Sequence, residues 1–139
     1  MKRLMLDTCI VVDMLINANT LDKHIVSLLE DYSYTFYASF ETLRELVVLF
    51  NNHKIHAKKW KTSEDVLNTV VNDMGITILP LREEVAFTYS RLQINEIQDH
   101  RDPSDHIIVA HAISEHIPLI SSDLKLPFYR GQGLDLIQA

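Results

Sequence analysis

The chain has 139 residues, which favours one domain over two, and its 47% hydrophobic and 23% charged residues are close to the globular average. This composition excludes a disordered chain, and the 3 glycines and 4 prolines exclude a collagen-like or low-complexity one. With 19 acidic against 13 basic residues the formal charge is −6, which argues against a basic nucleic-acid coat protein but not against a nuclease that binds phosphate through metal ions.

The cysteine content and the N-terminal segment predict where the protein works. The single cysteine, Cys9, can form neither an intrachain disulfide nor a cysteine-rich zinc site, which favours a reducing cytoplasm. No apolar run approaches the ~20 residues that span a bilayer. The N-terminal segment meets Asp7 after three apolar residues, which is too soon for a signal peptide. We therefore expect a cytoplasmic protein with no membrane segment.

Strand and helix patterns alternate along the chain. The predicted strands are residues 4–6, 34–38, 76–79, 118–120 and 134–137. The predicted helices are residues 10–16, 21–31, 40–52, 63–74, 82–92 and 102–116. Ser63 is the expected N-cap of the fourth helix, Gly75 is expected to close it, and residues 93–101 have no regular pattern. This alternation indicates a parallel sheet covered on both faces, with functional residues beyond the carboxyl ends of the strands.

Three aspartates stand at the positions where such a site would form. Asp7 follows the first strand, Asp123 follows the fourth, and Asp105 lies in the first turn of the helix before that fourth strand. Each also has an ordinary interpretation as a helix cap, a first-turn acid or a turn residue. Asp102 fits a helix N-cap best, because Pro103 follows it at the first helical position.

Glu45 lies in the helix predicted at residues 40–52, which is apolar around much of its girth. A carboxylate there is expected to be partly buried, and a buried charge needs a cation or a hydrogen-bond network. Either a salt bridge, for example to Arg44, or a metal ion could supply the partner. Clustered carboxylates raise one another's pKa unless a divalent cation neutralises them, and oxygen ligands suit Mg²⁺ or Mn²⁺ better than Zn²⁺.

Five segments, in their order and spacing, resemble the PIN-domain ribonucleases, and most closely the VapC-type toxins of bacterial toxin–antitoxin pairs. They are Leu6–Thr8, Ser39–Leu46, His100–Ala112, Leu119–Lys125 and Gly133–Ile137. The resemblance implies an α/β fold, a three-layer α/β/α sandwich with a central mainly parallel sheet, in which residues 1–139 form a single nuclease domain. His106 stands where this branch usually has arginine, and Ser104 where an aromatic residue is common, which puts substrate preference more than activity in doubt.

The resemblance also implies the roles of particular residues. The acids that would hold Mg²⁺ or Mn²⁺ and support hydrolysis of RNA by activated water are Asp7, Glu45, Asp105 and Asp123. The residues that could orient a ligand or a water beside them are Thr8, Ser39, Thr42, Asp102 and Ser121. A cognate antitoxin and a homodimer are the partners that the family implies.

A basic segment follows the helix that carries Glu45, and it could hold single-stranded RNA by phosphate contact and base stacking. Its residues are Lys54, Lys58, Lys59, Trp60 and Lys61. A solvated loop, or a contact with a second copy or an antitoxin, is the alternative. His100 could transfer a proton or contact phosphate, or be an ordinary loop residue, whereas His111 and Cys9 are expected to pack in the interior.

Three other functions compete with a toxin. A phospho-accepting receiver domain needs an acid pair after the first strand and an aspartate after the third, but only Asp7 follows the first and Pro80 follows the third. An inert PIN-like binding protein would not need all four acids. An RNA-processing nuclease without an antitoxin is distinguished from a toxin by whether the neighbouring gene encodes an antitoxin.

Overall fold

The computed structural model describes residues 2–139, and its centre is a five-stranded sheet in the order β3-β2-β1-β4-β5. The strands are β1 Lys2–Leu6, β2 Tyr34–Ser39, β3 Thr77–Leu79, β4 Leu119–Ser121 and β5 Leu136–Gln138. Every strand pair within residues 2–139 is parallel. The predicted α/β fold with a mainly parallel sheet is therefore confirmed.

Helices connect the strands and cover the sheet. They are α1 Thr8–Ile16, α2 Lys23–Leu29, α3 Phe40–Asn51, α4 Ser63–Asn68, α5 Glu83–Arg91 and α6 Pro103–Glu115. A π-helical turn, Thr69–Asp73, continues α4, and 3₁₀ segments span Ala18–Thr20 and Leu126–Gln132. Within residues 2–139, no helix has the length and apolar character that a membrane crossing requires.

The central strand β1 separates two hydrophobic cores. Leu4 and Leu6 pack into a core that also contains residues of α1 to α4. Met5 packs into a second core with α6 and the 3₁₀ segment Leu126–Gln132. Successive side chains of a strand point to opposite faces of the sheet, so the alternation divides the three residues between the two layers. All three are at most 3% exposed, and burial of each contributes roughly 1.5–3 kcal/mol.

The order in which the chain adds strands to the sheet reverses at β1, between β1 and β4. From β1 the chain builds outward through β2 and β3, then returns to place β4 on the other side of β1, where Asp7 N–H donates to the carbonyl of Ile120 at 3.0 Å. Neighbouring connections leave such a switch point on opposite faces, which opens a crevice beyond the strand ends. Asp7 and Asp123 both lie at this edge.

Two predicted boundaries are corrected by the structure. Thr62, not Ser63, caps α4, because Thr62 Oγ1 accepts from Asp65 N–H at 3.3 Å while Asp65 Oδ2 accepts from Thr62 N–H at 3.0 Å. Gly75 closes this helical segment in the left-handed region at φ 67°, as predicted. The last strand begins two residues later than expected, at Leu136, because Leu134 N–H still donates to the carbonyl of Tyr129.

Candidate metal centre

The carboxyl ends of β1 and β4 border a cleft of about 410 Å³. All four predicted acids line it: Asp7, Glu45, Asp105 and Asp123. A larger cavity of about 650 Å³ lies between α5 and the end of α6, but its lining carries a single carboxylate, that of Glu84. The smaller cleft is therefore the candidate metal centre.

Asp7 caps α1 and faces the cleft at the same time. Its Oδ1 accepts from the backbone N–H of Thr8 at 2.8 Å, and its Oδ2 accepts from Ser121 Oγ at 2.6 Å. The side chain is 4% exposed, and this burial raises the pKa of Asp7 although both hydrogen bonds oppose the shift. Asp7 is therefore the N-cap of α1, and its side chain also lines the cleft.

Ser121, at the end of β4, connects Asp7 to Asp123. Its hydroxyl donates to Asp7 and accepts from the backbone N–H of Asp123 at 3.0 Å. Asp123 Oδ1 accepts from Lys125 N–H at 2.9 Å in a tight turn. Asp123 Oδ2 is held on the cleft side, 3.8 Å from His100 Nε2.

Glu45 is held by hydroxyls and not by a cation. Thr8 Oγ1 donates to Glu45 Oε1 at 2.5 Å, and the hydroxyls of Thr8 and Thr42 lie 3.0 Å apart. Burial raises the pKa of Glu45. Arg44 turns instead to Glu41, where its Nε lies 2.9 Å from Oε1, so the proposed salt bridge between Arg44 and Glu45 is not formed.

Asp105 lies among the other acids, and its pKa is strongly raised. Burial raises its pKa to about 8, and the charges of Asp7, Asp102, Asp123 and Glu45 add to the shift. Its side chain is 20% exposed, and its Oδ2 lies 3.1 Å from His100 Nε2. The cluster therefore resists full ionisation on its own, which is the behaviour of carboxylates arranged for a cation.

The donor atoms fit a hard divalent ion. Within residues 2–139, no lysine or arginine forms an ion pair with any of the four acids. Two groups of three ligand atoms lie within 4.8 Å of one another: Glu45, Asp102 and Asp105, and His100, Asp105 and Asp123. Asp102 also caps α6, as predicted, by accepting from Ser104 N–H at 3.0 Å. Oxygen-rich sets of this kind suit Mg²⁺ or Mn²⁺.

The sequence carries no clear signal for the buried position of His100. Its side chain is 2% exposed and its Nε2 lies 3.1 Å from Asp105 Oδ2, so it is not an ordinary exposed loop residue and offers little surface to RNA phosphate. Burial and the nearby His106 lower the pKa of His100. His106 Nε2 donates to the carbonyl of His100 at 2.9 Å and so holds the loop in place. The only available signal was a histidine beside an acidic helix start.

Trp60 and Ser39 lie outside the site. Trp60 is 6% exposed and donates from Nε1 to Thr69 Oγ1 at 3.1 Å, so it is a core residue with no face for a base. Ser39 is fully buried, caps α3 by accepting from Glu41 N–H at 3.1 Å, and pairs with His111 Nδ1 at 2.7 Å. Both predicted roles are corrected because tertiary packing places these side chains in the interior.

The other predicted residues divide into interior and surface groups. His111 is fully buried, as expected. Cys9 is only partly buried and lines the cleft, with its Sγ 3.7 Å from Asp7 Oδ2, so it is not simple interior packing. The basic side chains of the predicted RNA segment are exposed: Lys54, Lys58, Lys59 and Lys61.

A parallel sheet with an acidic cleft at its switch point defines a class of α/β proteins whose site is suited to divalent cations. Within that class, the family model for the PIN domain matches residues 4–132. The chain belongs to the PIN-domain family. Comparison with curated protein sequences gave no match.

Solved structures with the same fold include VapBC proteins, a family of toxin–antitoxin systems. VapBC2 from Rickettsia felis, solved with a fragment of promoter DNA, is 22% identical with a TM-score of 0.70, covering 98% of each chain. VapBC-1 from nontypeable Haemophilus influenzae is 21% identical with a TM-score of 0.70, covering 98% of this chain and 97% of the other. FitAcB from Neisseria gonorrhoeae is 20% identical with a TM-score of 0.64, covering 97% and 96%.

Proposed function

We propose that this protein is a metal-dependent endoribonuclease that acts in the cytoplasm as the toxin of a toxin–antitoxin pair. The observation that carries the proposal is the convergence of Asp7, Glu45, Asp105 and Asp123 on one cleft without a lysine or arginine partner among residues 2–139. Membership of the PIN-domain family and the likeness to toxin–antitoxin complexes support it.

The chain's own residues would hold one or two Mg²⁺ or Mn²⁺ ions through these four carboxylates. A bound divalent ion lowers the pKa of a coordinated water and neutralises charge that develops on phosphate. Ser121 fixes Asp7 Oδ2, and Thr8 fixes Glu45 Oε1, so two of the acids are oriented by hydroxyls before any ion binds. These contacts support the predicted roles of both hydroxyl residues.

RNA would be held by the exposed lysines that follow α3, the helix that carries Glu45. They are Lys54, Lys58, Lys59 and Lys61. Log affinity falls as log salt concentration rises, and each lysine that neutralises a phosphate of a single strand should make this slope steeper by about 0.7. Without an exposed tryptophan in this segment, the contact would be electrostatic and tolerant of sequence.

An antitoxin and a homodimer complete the proposal. The similar proteins include VapBC proteins, a family of toxin–antitoxin systems, and a toxin–antitoxin complex. The formal charge of −6 and the uncompensated carboxylates favour a basic antitoxin segment, and an arginine that reached the cleft would form charge-assisted hydrogen bonds there. Growth arrest on expression, relieved by the neighbouring gene product, separates a toxin from an RNA-processing nuclease.

The decisive experiment is cleavage of tRNA, rRNA and mRNA by purified protein in Mg²⁺, Mn²⁺ or EDTA. We expect cleavage with either ion, none in EDTA, and at least a ~100-fold loss in Asp7→Asn, because each ligand supports several kcal/mol of charge stabilisation. Asp22→Asn is the matched control, since Asp22 is exposed and its side chain makes no cap hydrogen bond. Full activity of Asp7→Asn, or of the wild type in EDTA, would end the proposal.

A further inference from the structure

A buried chain of hydrogen bonds runs from the loop before α6 to the acidic cleft. The backbone N–H of Asn95 lies 3.1 Å from Tyr129 Oη, and Tyr129 Oη lies 2.7 Å from His100 Nδ1. His100 Nε2 then lies 3.1 Å from Asp105 Oδ2. Asn95, Tyr129 and His100 are at most 2% exposed, so water does not compete for these bonds.

The direction of each bond follows from what each group can donate. The Asn95 amide only donates, so Tyr129 Oη accepts from it and keeps its own proton. A buried O–H without an acceptor is unfavourable, and among residues 2–139 the only other partner of that hydroxyl is His100 Nδ1, so Nδ1 accepts from it. A neutral imidazole that accepts at Nδ1 carries its proton at Nε2, and Nε2–H donates to Asp105.

We propose that Tyr129 fixes His100 in the Nε2–H tautomer, so that His100 orients Asp105 as a hydrogen-bond donor and is withheld from the metal. The inference rests on the proposed function in one respect: it assigns His100 a positioning role toward the metal site. His100, Asp105 and Asp123 place one nitrogen and two oxygens within 4.8 Å, a set that could otherwise hold Zn²⁺. Because a proton occupies the lone pair of His100 Nε2, only the carboxylate oxygens of Asp105 and Asp123 remain as metal ligands in this group.

The tautomer of His100 affects which metal ion the site prefers. Imidazole nitrogen raises affinity for Zn²⁺, whereas carboxylate oxygens suit Mg²⁺ and Mn²⁺. For His100 to bind Zn²⁺ through Nε2, its proton must move to Nδ1, and the buried Tyr129 O–H then loses its acceptor. An unsatisfied buried hydroxyl is unfavourable enough to lower affinity by about tenfold. Tyr129 thus disfavours the softer ion without contacting it.

The first test reads the tautomer directly in metal-free protein. Long-range ¹H–¹⁵N spectra of histidine-labelled protein distinguish the two neutral tautomers from the imidazolium. We expect His100 as the Nε2–H form with an unprotonated Nδ1. A wild-type His100 that carries its proton at Nδ1, or at both nitrogens, would overturn the inference whatever the protein's activity.

The second test measures metal preference by calorimetry with Mg²⁺ and Zn²⁺ as the probes. In Tyr129→Phe we expect the ratio of Zn²⁺ affinity to Mg²⁺ affinity to rise about tenfold, because the hydroxyl that opposes the other tautomer is gone. In the double variant Y129F/H100Q the ratio should return to the wild-type value, because an amide N–H can donate to Asp105 but has no lone pair for zinc.

The matched control is Ser39→Ala, which removes a hydroxyl from a different buried histidine. Ser39 Oγ lies 2.7 Å from His111 Nδ1, and neither side chain contacts the four acids. This variant should lose stability without changing the metal ratio. An unchanged ratio in Tyr129→Phe, in protein shown to be folded by its melting transition, contradicts the inference. A wild type that binds no Mg²⁺ contradicts the proposed function, while the tautomer spectrum still decides the hydrogen-bond chain.

Discussion

Two glutamates one helical turn apart on α3 meet opposite surroundings. Glu41 is 3% exposed and is held by the Arg44 guanidinium and by Ser104 Oγ at 2.6 Å. Burial opposes its ionisation, but these hydrogen bonds and the arginine charge outweigh it and hold the pKa of Glu41 below its ordinary value. Glu45 has hydroxyl partners but no cation, and burial raises its pKa.

The difference shows which buried carboxylates indicate a metal. Burial by itself does not, because Glu41 is buried and fully compensated within the chain. A carboxylate that is at least partly buried, grouped with other acids and without a lysine or arginine partner needs a charge from outside the chain. Glu45 meets these conditions and Glu41 does not, so substitutions at the two positions should have different consequences.

The largest expected effect separates the two glutamates by activity. Glu45→Gln should lower the rate of Mg²⁺-dependent RNA cleavage by ~100-fold or more, because it removes a metal ligand. Glu41→Gln should leave the rate per folded molecule unchanged. Cleavage of a labelled RNA, normalised to the folded fraction, measures both. Equal losses in the two variants would show that the lack of a cationic partner does not distinguish a metal ligand from a structural carboxylate.

The next effect concerns pH, because burial and the neighbouring acids raise the pKa of Asp105 to about 8. Between pH 3.8, its ordinary pKa, and about 8, the folded metal-free protein keeps a proton that the unfolded chain releases. This group therefore makes stability fall as pH rises through that window. As pH rises from 5 to 8, the Tm of Asp105→Asn should increase relative to that of the wild type by on the order of 5 °C.

The control for that measurement is Glu41→Gln, whose pKa shift has the opposite sign. The lowered pKa of Glu41 gives stability that is present above its ordinary value of 4.5 and is lost below it, so its effect should be constant from pH 5 to pH 8. Thermal melts at several pH values in EDTA give both curves. Parallel curves for the wild type and Asp105→Asn would contradict the assignment.

Binding of Mg²⁺ should stabilise the protein only where the cleft is intact. At a concentration one hundred times the dissociation constant, an ion that binds only the folded state adds about 2.7 kcal/mol. We expect this gain in the wild type and in Glu41→Gln, and its absence in Glu45→Gln. Thermal melts in Mg²⁺ and in EDTA provide the measurement, and a gain that survives in Glu45→Gln would place the ion elsewhere.

Glu41 should matter for stability where Glu45 matters for activity. Glu41→Gln disrupts the paired hydrogen bonds from Arg44 and leaves a buried polar group imperfectly satisfied. We expect a loss of about 1–3 kcal/mol in the free energy of unfolding. Arg44→Ala at the other end of the pair is the companion variant, and its failure to destabilise would show that the pair contributes little.

The smallest effect tests the hydroxyl beside Glu45. Thr8→Val removes the donor that lies 2.5 Å from Glu45 Oε1 and keeps the shape of the side chain. Loss of such an orienting group should weaken Mg²⁺ affinity by about tenfold. Thr20→Val is the control, because Thr20 Oγ1 bonds only to the backbone carbonyl of Asn17 at an exposed site. An unchanged Mg²⁺ affinity in Thr8→Val would limit Thr8 to packing.

The sequence by itself determined the order of elements and the acids at the strand ends. Apolar runs and turn residues are local signals, and a parallel sheet brings the carboxyl ends of its strands to one edge, so Asp7 and Asp123 could be placed near each other in advance. Their caps and turns were also readable, because those hydrogen bonds join neighbours in the chain. Whether residues 1–139 act as one domain stays a prediction.

Only the tertiary structure decided which charges are compensated. Ser104 reaches Glu41 across 63 positions, and His100 meets Tyr129 across 29, so no local pattern could assign these partners. The same applies to Trp60, whose basic neighbours suggested an RNA contact but whose ring packs in the core. The energy of a buried polar group depends on what surrounds it from every side, and that is fixed only when the layers pack.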